Sequence, residues 1–172
     1  MSPEITIRAE ADGDREAIWA VNRSAFESDA EANLVNILRD SGFVTVSLVA
    51  EIEGEVVGYI LFSPLTIIAK VGTVEAVSLA PMAVLPSHQR QGIGSRLVAA
   101  GLYVCRELGH RIAVVLGHPK FYPRFGFSAD LASPLINPFG GGEAWMALEL
   151  LTGALCGIEG KVEYPAPFNA LE

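Results

Sequence analysis

The sequence predicts an α/β (mixed α+β) fold whose sheet is mostly antiparallel and flanked by helices. Apolar, β-branched runs alternate with helix-periodic segments along the 172 residues. Runs 43–51 and 55–65 meet at a glycine-containing turn, which is typical of an antiparallel hairpin. A strand ending near Val84, a helix and a strand starting at Ile112 form a crossover, so these two strands should be parallel.

The first elements are a strand over 5–9 and a helix that Asp12 or Asp14 can cap. We expect this helix to point Ile18 and Val21 inward, because they are three residues apart.

The second helix begins with a pattern typical of a capping box, Ser28 followed by Glu31 three residues later. We expect Gly42 to end this helix by adopting a left-handed backbone conformation. The predicted buried stripe contains four residues: Leu34, Val35, Ile37 and Leu38.

A turn at 70–73 leads into the strand that ends near Val84. After a glycine-rich loop, a third helix ends at Gly109. Its predicted apolar stripe contains Leu97, Val98, Gly101, Leu102, Cys105 and Leu108. The wholly apolar run 112–116 then suits a central strand that is covered on both faces.

A flexible triple-glycine loop at 140–142 precedes the last predicted strand, 145–150. The tail over 152–172 is too apolar for a free end, since it contains Tyr164 and Phe168. We expect it to pack against the domain or, in a homodimer, against a second subunit. Residues 1–172 should form a single domain.

Composition narrows the classes of function. The chain has 12 Lys and Arg against 20 Asp and Glu, a formal net charge of −8. This balance excludes a nucleic-acid partner, which needs clustered positive charge, and fits either a cationic substrate or simply a solvated acidic surface. No 18-residue apolar run or leader segment is present, so we expect a cytoplasmic protein without a membrane partner. Cys105 and Cys156 predict packed, reduced thiols, and the three histidines match no metal-ligand spacing.

The glycine-rich loop predicts a phosphate site. Gly92 and Gly94 remove the Cβ atoms that would block a ligand, and the first N–H groups of the following helix point toward it. A Walker loop is excluded, because no glycine is followed by Lys and Ser or Thr. A dinucleotide fingerprint is excluded as well, because Leu97 stands where its third glycine is needed.

The remaining pattern, Gln89-x-x-Gly92-x-Gly94, resembles the pyrophosphate loop of the GNAT acyl-CoA N-acyltransferases. Segments 56–61, 79–86 and 121–127 resemble the third strand of this family, the strand that feeds the loop, and its tyrosine-bearing helix with the following Gly-Phe. The resemblance covers roughly residues 5–150 and is closest to a branch described as YhbS-like. It implies a sheet whose central parallel strand pair is splayed around CoA.

The resemblance also implies acetyl-CoA as co-substrate. The spacing of the three histidines predicts that no metal is bound. The backbone N–H groups of the loop should cradle the pyrophosphate, and Arg90 and Arg96 should add charge unless they are only solvated helix-end charges. Met82, Ala83 and Val84 should pair their backbone with the pantetheine amides. The loop residues assigned to the cofactor are Gln89, Arg90, Gln91, Gly92, Ile93, Gly94, Ser95 and Arg96.

Tyr122 stands four residues before Gly126, where the family has its helical tyrosine, and its phenol should protonate the departing thiolate. The alternative is a half-buried aromatic that only hydrogen-bonds. His118 and Glu75 are weaker candidates for accepting the proton of the amine. The family builds its acceptor pocket from the first helix pair, which places three residues near the incoming amine: Phe26, Glu27 and Asp29.

The implied reaction is direct attack of an amine, from a small molecule or a peptide, on the thioester of acetyl-CoA. Two other classes stay open at this point: a CoA-binding or sensing module without turnover, and an interaction protein that uses its acidic surface. The sequence leaves the acceptor and the acyl length undetermined.

Overall fold

One mixed sheet organises the chain, and the computed structural model describes residues 4–171. Within these residues the strands run in the order β1-β2-β3-β4-β5-β7, while β8 pairs with both β3 and β6. The strands are β1 Ile5–Ala9, β2 Val46–Ile52, β3 Glu55–Ala69, β4 Gly72–Val84, β5 Ile112–Leu116, β6 Leu135–Ile136, β7 Trp145–Glu149 and β8 Gly160–Glu163. The helices are α1 Arg15–Phe26, α2 Ala30–Asp40, α3 Ile93–Glu107 and the short α4 Ala129–Ala132.

The predicted hairpin between β2 and β3 is confirmed. Its turn consists of Glu53 and Gly54, whose φ angles are 51° and 80°. Ile52 and Glu55 close the antiparallel ladder around this turn. Two successive left-handed residues give the backbone twist that a two-residue hairpin needs, and glycine adopts that conformation at no steric cost.

The parallel pairing of β4 with β5 is also confirmed, and it is short. The two strands are in register at Val77 with Ala113 and at Ser78 with Val114. Past that point β4 follows β3, with a bulge that places Ala80 and Pro81 opposite a single residue of β3. Because a bulge bends its strand, β4 turns away from β5 and the sheet opens at the carboxyl ends of this pair.

Helix α3 lies close against the sheet. Its inward side chains are buried beside those of β2 and β3. A Cβ at Gly101 would collide with the ring of Phe62, so glycine permits the close approach. The stop at Gly109 is confirmed by its φ of 90°. The prediction of a buried Leu108 is wrong, because α3 ends at Glu107 and Leu108 is 59% exposed.

Helix α1 buries Ile18 and Val21 as predicted. Asp14 occupies the N-cap position of α1, but its carboxylate accepts hydrogen bonds from the Arg8 guanidinium and the Ala11 N–H instead of capping the helix. Asp14 is therefore a link between the helix entry and β1.

The start of α2 differs from the predicted capping box. The helix begins at Ala30, so Glu31 is its second residue and not its third. The hydroxyl of Ser28 accepts a hydrogen bond from the Ala30 N–H at 3.2 Å. Ile37 stands at the margin of the apolar stripe and is 43% exposed, contrary to the prediction, whereas Gly42 has the expected left-handed φ of 79°.

The tail after β7 returns to the sheet. β8 pairs antiparallel with the far half of β3, from Thr66 with Glu163 to Ala69 with Gly160. Phe168 is 2% exposed and packs with the core between α2 and the sheet. Sequence patterning did not identify β6 or β8, since each has four residues or fewer.

The contact between Gly101 and Phe62 generates a prediction for stability. Gly101→Ala adds a methyl group against a fully buried ring, and overpacking of about 1–3 kcal/mol outweighs an alanine helix gain of about 1 kcal/mol. We expect thermal denaturation to show a Tm roughly 2–4 °C lower for each net kcal/mol. Gly13→Ala is the control, because a Cβ there meets nothing within 4 Å. A Gly101→Ala protein that is as stable as the control contradicts this packing account.

Candidate active site

A cavity of 1020 Å³ lies where β4 and β5 diverge. Residues 79–84 of β4 form one wall and residues 115–118, at the end of β5, form the other. The start of α3 closes one end, and Ala25 and Phe26 at the end of α1 contribute to another part of the lining. The cavity therefore lies at the carboxyl ends of two parallel strands, where α/β sheets commonly bind ligands.

The loop between β4 and α3 is fixed by hydrogen bonds at its entry. The Gln89 side-chain amide donates to the Val84 carbonyl at 2.9 Å, and the Leu85 N–H donates to the Val57 carbonyl at 2.8 Å. Arg90 and Gly92 are both left-handed, with φ angles of 63° and 84°. These two residues turn the chain sharply from the strand into the helix.

The turn leaves the amide end of α3 open toward the cavity. Gly92 is the N-cap residue, and the first bond of the helix runs from the Arg96 N–H to the Gly92 carbonyl at 3.1 Å. The N–H groups of 93–95 thus have no intrahelical acceptor, and the positive end of the helix dipole lies behind them. A Cβ at Gly94 would lie 3.3 Å from Met82 Cε and 3.7 Å from Phe121 Cζ, so the cavity is narrow there.

Charge is distributed unevenly around the cavity. Three Arg and Lys side chains belong to its lining, namely Arg90, Lys120 and Arg124. The Arg124 guanidinium lies 4.8 Å from the centre of the Phe121 ring, which orients it. Glu31 supplies the one carboxylate among the described lining residues.

Tyr122 lies in the cavity wall beside β5 and is 6% exposed. It starts a short 3-10 turn, Tyr122–Phe125, where the sequence had indicated a helix. Its ring contacts Phe121 and Phe127 edge-on, with centroids 5.0 and 5.8 Å away. A Cβ at Gly117 would come within 2.5 Å of the ring, so glycine makes room for it.

Burial raises the pKa of Tyr122 to about 12. Removal from water disfavours the phenolate, so the hydroxyl keeps its proton at neutral pH. A group in this state can donate a proton but does not serve as a base.

Most of the residues that the sequence singled out come together in this cavity. Its lining includes Phe26, Met82, Ala83, Val84, Gln89, Arg90, Gly92, Ile93, Gly94, Ser95 and Tyr122.

Four predicted residues lie outside the described lining. Gln91 and Arg96 are exposed on the outer side of the loop and of the first turn of α3. Glu27 ends α1 in a left-handed conformation, with φ 54°. Asp29 is bound to Arg23, with its Oδ1 2.7 Å from the guanidinium Nε. Of the two weaker proton acceptors, His118 is part of the lining, whereas Glu75 is exposed on β4 opposite Thr66.

Sequence reasoning did not assign Gly117, Lys120 or Glu31 to the site. Gly117 and Lys120 lie in the segment that follows β5. Parallel strands bring their carboxyl ends to one edge of the sheet, so the predicted crossover could have placed this segment beside the glycine loop. Glu31 was assigned to a cap that the actual start of α2 makes impossible.

Two properties of residues 4–171 concern the kind of site this can be. No group of three or more His, Cys, Asp or Glu side chains there could hold a metal ion. Within the same residues, no helix is long and apolar enough to cross a membrane.

Comparison with known proteins places the chain among acetyltransferases. Residues 44–129 match the acetyltransferase (GNAT) domain. The uncharacterized N-acetyltransferase YhbS of Escherichia coli K12 is 41% identical over 165 residues, covering 95% of this chain and 98% of YhbS.

Two solved structures are similar over nearly the whole fold. The crystal structure of Escherichia coli YhbS in complex with CoA aligns with a TM-score of 0.90 at 38% identity, covering 98% of this chain and 94% of that one. A GNAT family acetyltransferase from Brucella melitensis in complex with acetyl-CoA aligns with a TM-score of 0.79 at 32% identity, covering 97% and 99%. The chain, with its splayed strand pair and glycine loop, therefore belongs to the GNAT family of N-acetyltransferases.

Proposed function

We propose that this protein transfers the acetyl group of acetyl-CoA to a primary amine by direct attack on the thioester. One observation carries the proposal: a single cavity joins the open amide end of α3, the part of β4 that continues beyond its pairing with β5, and the protonated phenol of Tyr122. The CoA and acetyl-CoA complexes of the two structural relatives support the same co-substrate.

The cationic part of the cavity suits the phosphates of CoA. The N–H groups of 93–95 offer hydrogen bonds to the pyrophosphate, and the helix dipole favours its negative charge. Arg90, Lys120 and Arg124 add charge to the same lining. Residues 79–84 extend β4 beyond its pairing with β5, so their backbone is available to the amide groups of pantetheine.

A neutral amine is nucleophilic enough to attack the thioester of acetyl-CoA directly when the two are held together, so the protein needs no covalent intermediate. A neutral amine attacks the thioester carbonyl, the amide bond forms, and the carbon–sulfur bond breaks. We assign Tyr122 to give its phenolic proton to the departing thiolate. The amine nitrogen loses one proton, through water, to His118 of the lining, and Tyr122 regains a proton from solvent as His118 releases one, so the protein returns to its starting state.

Ligand binding gives the first prediction of this proposal. CoA or acetyl-CoA should raise the Tm, because a ligand at a hundredfold excess over its Kd adds about 2.7 kcal/mol to the stability of the native state. ATP and NAD should leave the Tm unchanged in the same thermal-shift assay. A clear shift with either nucleotide and none with millimolar CoA would overturn the assignment.

Gly94→Val tests the loop itself. The side chain would crowd Met82 and Phe121 at the narrow end of the cavity, so CoA should no longer raise the Tm although the protein folds. Gly13→Val, where a Cβ meets nothing within 4 Å, should respond to CoA as the wild type does. Normal CoA binding by a folded Gly94→Val protein means that the glycine loop is only structural.

Tyr122→Phe separates turnover from binding. The variant keeps the ring and its packing, so the Tm and the affinity for acetyl-CoA should stay unchanged while kcat falls on the order of 10²-fold. Tyr103→Phe is the matched control, since Tyr103 is 63% exposed on the outer side of α3. If kcat is unchanged and stability drops by about 1 kcal/mol, Tyr122 is a structural hydrogen-bonding residue and not the acid.

A further inference from the structure

Glu31 has a carboxylate oxygen that the fold leaves without a partner. The residue lies in the first turn of α2 and belongs to the cavity lining, as do Ala25 and Phe26. Its Oε2 atom is buried, and no described residue donates a hydrogen bond to it. Burying an acceptor without a donor destabilises a protein, more so when the acceptor is charged. Glu31 belongs to the cavity lining, so a turn of its carboxylate toward a bound ligand that brings an N–H donor would remove this cost.

The charge of Glu31 also excludes one ligand from its vicinity. The phosphates of CoA would be repelled by a carboxylate, and Arg90, Lys120 and Arg124 already provide the cationic part of the lining. As the one carboxylate among the described lining residues, Glu31 is suited to the second substrate, the amine that accepts the acetyl group. The group that it holds should carry positive charge.

The nitrogen held by Glu31 is not the one that attacks. A carboxylate is a far weaker base than an alkylamine, so in such an ion pair the proton stays on nitrogen. A protonated nitrogen has no lone pair for the thioester carbonyl. An acceptor that uses this site therefore needs a second, separate amine for the reaction.

Two apolar residues of the same lining indicate what connects the two nitrogens. Phe26 is 40% exposed at the end of α1, and Ala25 beside it is also apolar. A polymethylene chain can pack on such an apolar surface without removing any polar group from water.

We propose that the acceptor is a small aliphatic diamine or polyamine, with one ammonium bound by Glu31 and the other nitrogen presented, unprotonated, to the thioester. This inference rests on the proposed acetyltransferase function and assigns its substrate class. It makes Glu31 a specificity-determining residue that contacts substrate but takes no part in the proton transfers.

The test is equilibrium binding to the protein–CoA complex, measured by calorimetry. The probes are α,ω-diaminoalkanes of three to six carbons, each compared with the monoamine of equal chain length in which a methyl group replaces the second nitrogen. In the wild type, the best diamine should bind at least ~10-fold more tightly than its monoamine. Glu31→Gln should abolish that preference without changing the affinity for the monoamine.

Glu16→Gln is the control, since it removes an exposed carboxylate from α1. It should keep the diamine preference. Glu31→Asp retains the charge on a shorter side chain, so it should keep the preference and move the optimum to a longer diamine. This second variant carries the test if Glu31→Gln does not fold.

The outcomes separate the two proposals. Equal affinity for diamines and monoamines in the wild type, or a preference that survives Glu31→Gln, overturns the assignment of Glu31 while CoA binding and the acetyltransferase function stand. Failure of CoA to bind the wild type overturns both. Loss of the preference in Glu31→Gln, with Glu16→Gln unchanged, supports the diamine class.

Discussion

The site exists because the pairing between β4 and β5 stops after a short stretch. The two strands share two registered residue pairs, and the bulge at Ala80 and Pro81 then bends β4 away. A parallel sheet normally satisfies its backbone groups between strands, so this divergence leaves polar backbone facing a cavity. Every other feature of the site is arranged around that opening.

Helix α3 stands at the end of the opening because of local geometry in the loop. Left-handed residues at Arg90 and Gly92 turn the chain, and the Gln89 side chain fixes the turn to Val84. The close approach at Gly101 and Phe62 holds the helix on the sheet. The direction of the free amides at the start of α3 thus depends on a packing contact farther along the helix.

The cavity lining contains charged groups of both signs. Its Arg and Lys side chains suit an anion, whereas Glu31, with the exposed Phe26 in the same lining, suits a cation on an apolar chain. Tyr122, kept protonated by burial, belongs to the wall formed after β5. One pocket can in this way hold two substrates of opposite charge and supply a proton donor.

Local signals made much of the fold predictable from the sequence. The turn at Glu53 and Gly54, the stops at Gly42 and Gly109 and the crossover to β5 depend on backbone chemistry that nearby residues determine. β8 could not be recognised, because its pairing with β3 depends on contacts distant in the sequence. The predicted start of α2 is wrong because Ser28 and Asp29 are both residue types that favour the N-cap position. In the structure Asp29 takes that position and Ser28 precedes it.

The site also contains both residues that local sequence identifies and residues that only the tertiary structure brings together. The loop and Tyr122 belong to local motifs, so the sequence identified the residues that line one part of the cavity. Glu31 and Lys120 reach it only through tertiary structure. Asp29 and Arg96 were expected there by position along the chain, but a salt bridge to Arg23 and the outward face of α3 place them elsewhere.

The central claim is that the opening between β4 and β5 holds the co-substrate. Titration of ¹⁵N-labelled protein with CoA, followed by amide NMR, tests it most directly. The account predicts that the largest shifts occur at the amides of 92–95 and 82–84, with β1 at Ile5–Ala9 unaffected. The structure has another cavity, lined in part by Val71 and Lys161, and shifts concentrated there instead would contradict the account.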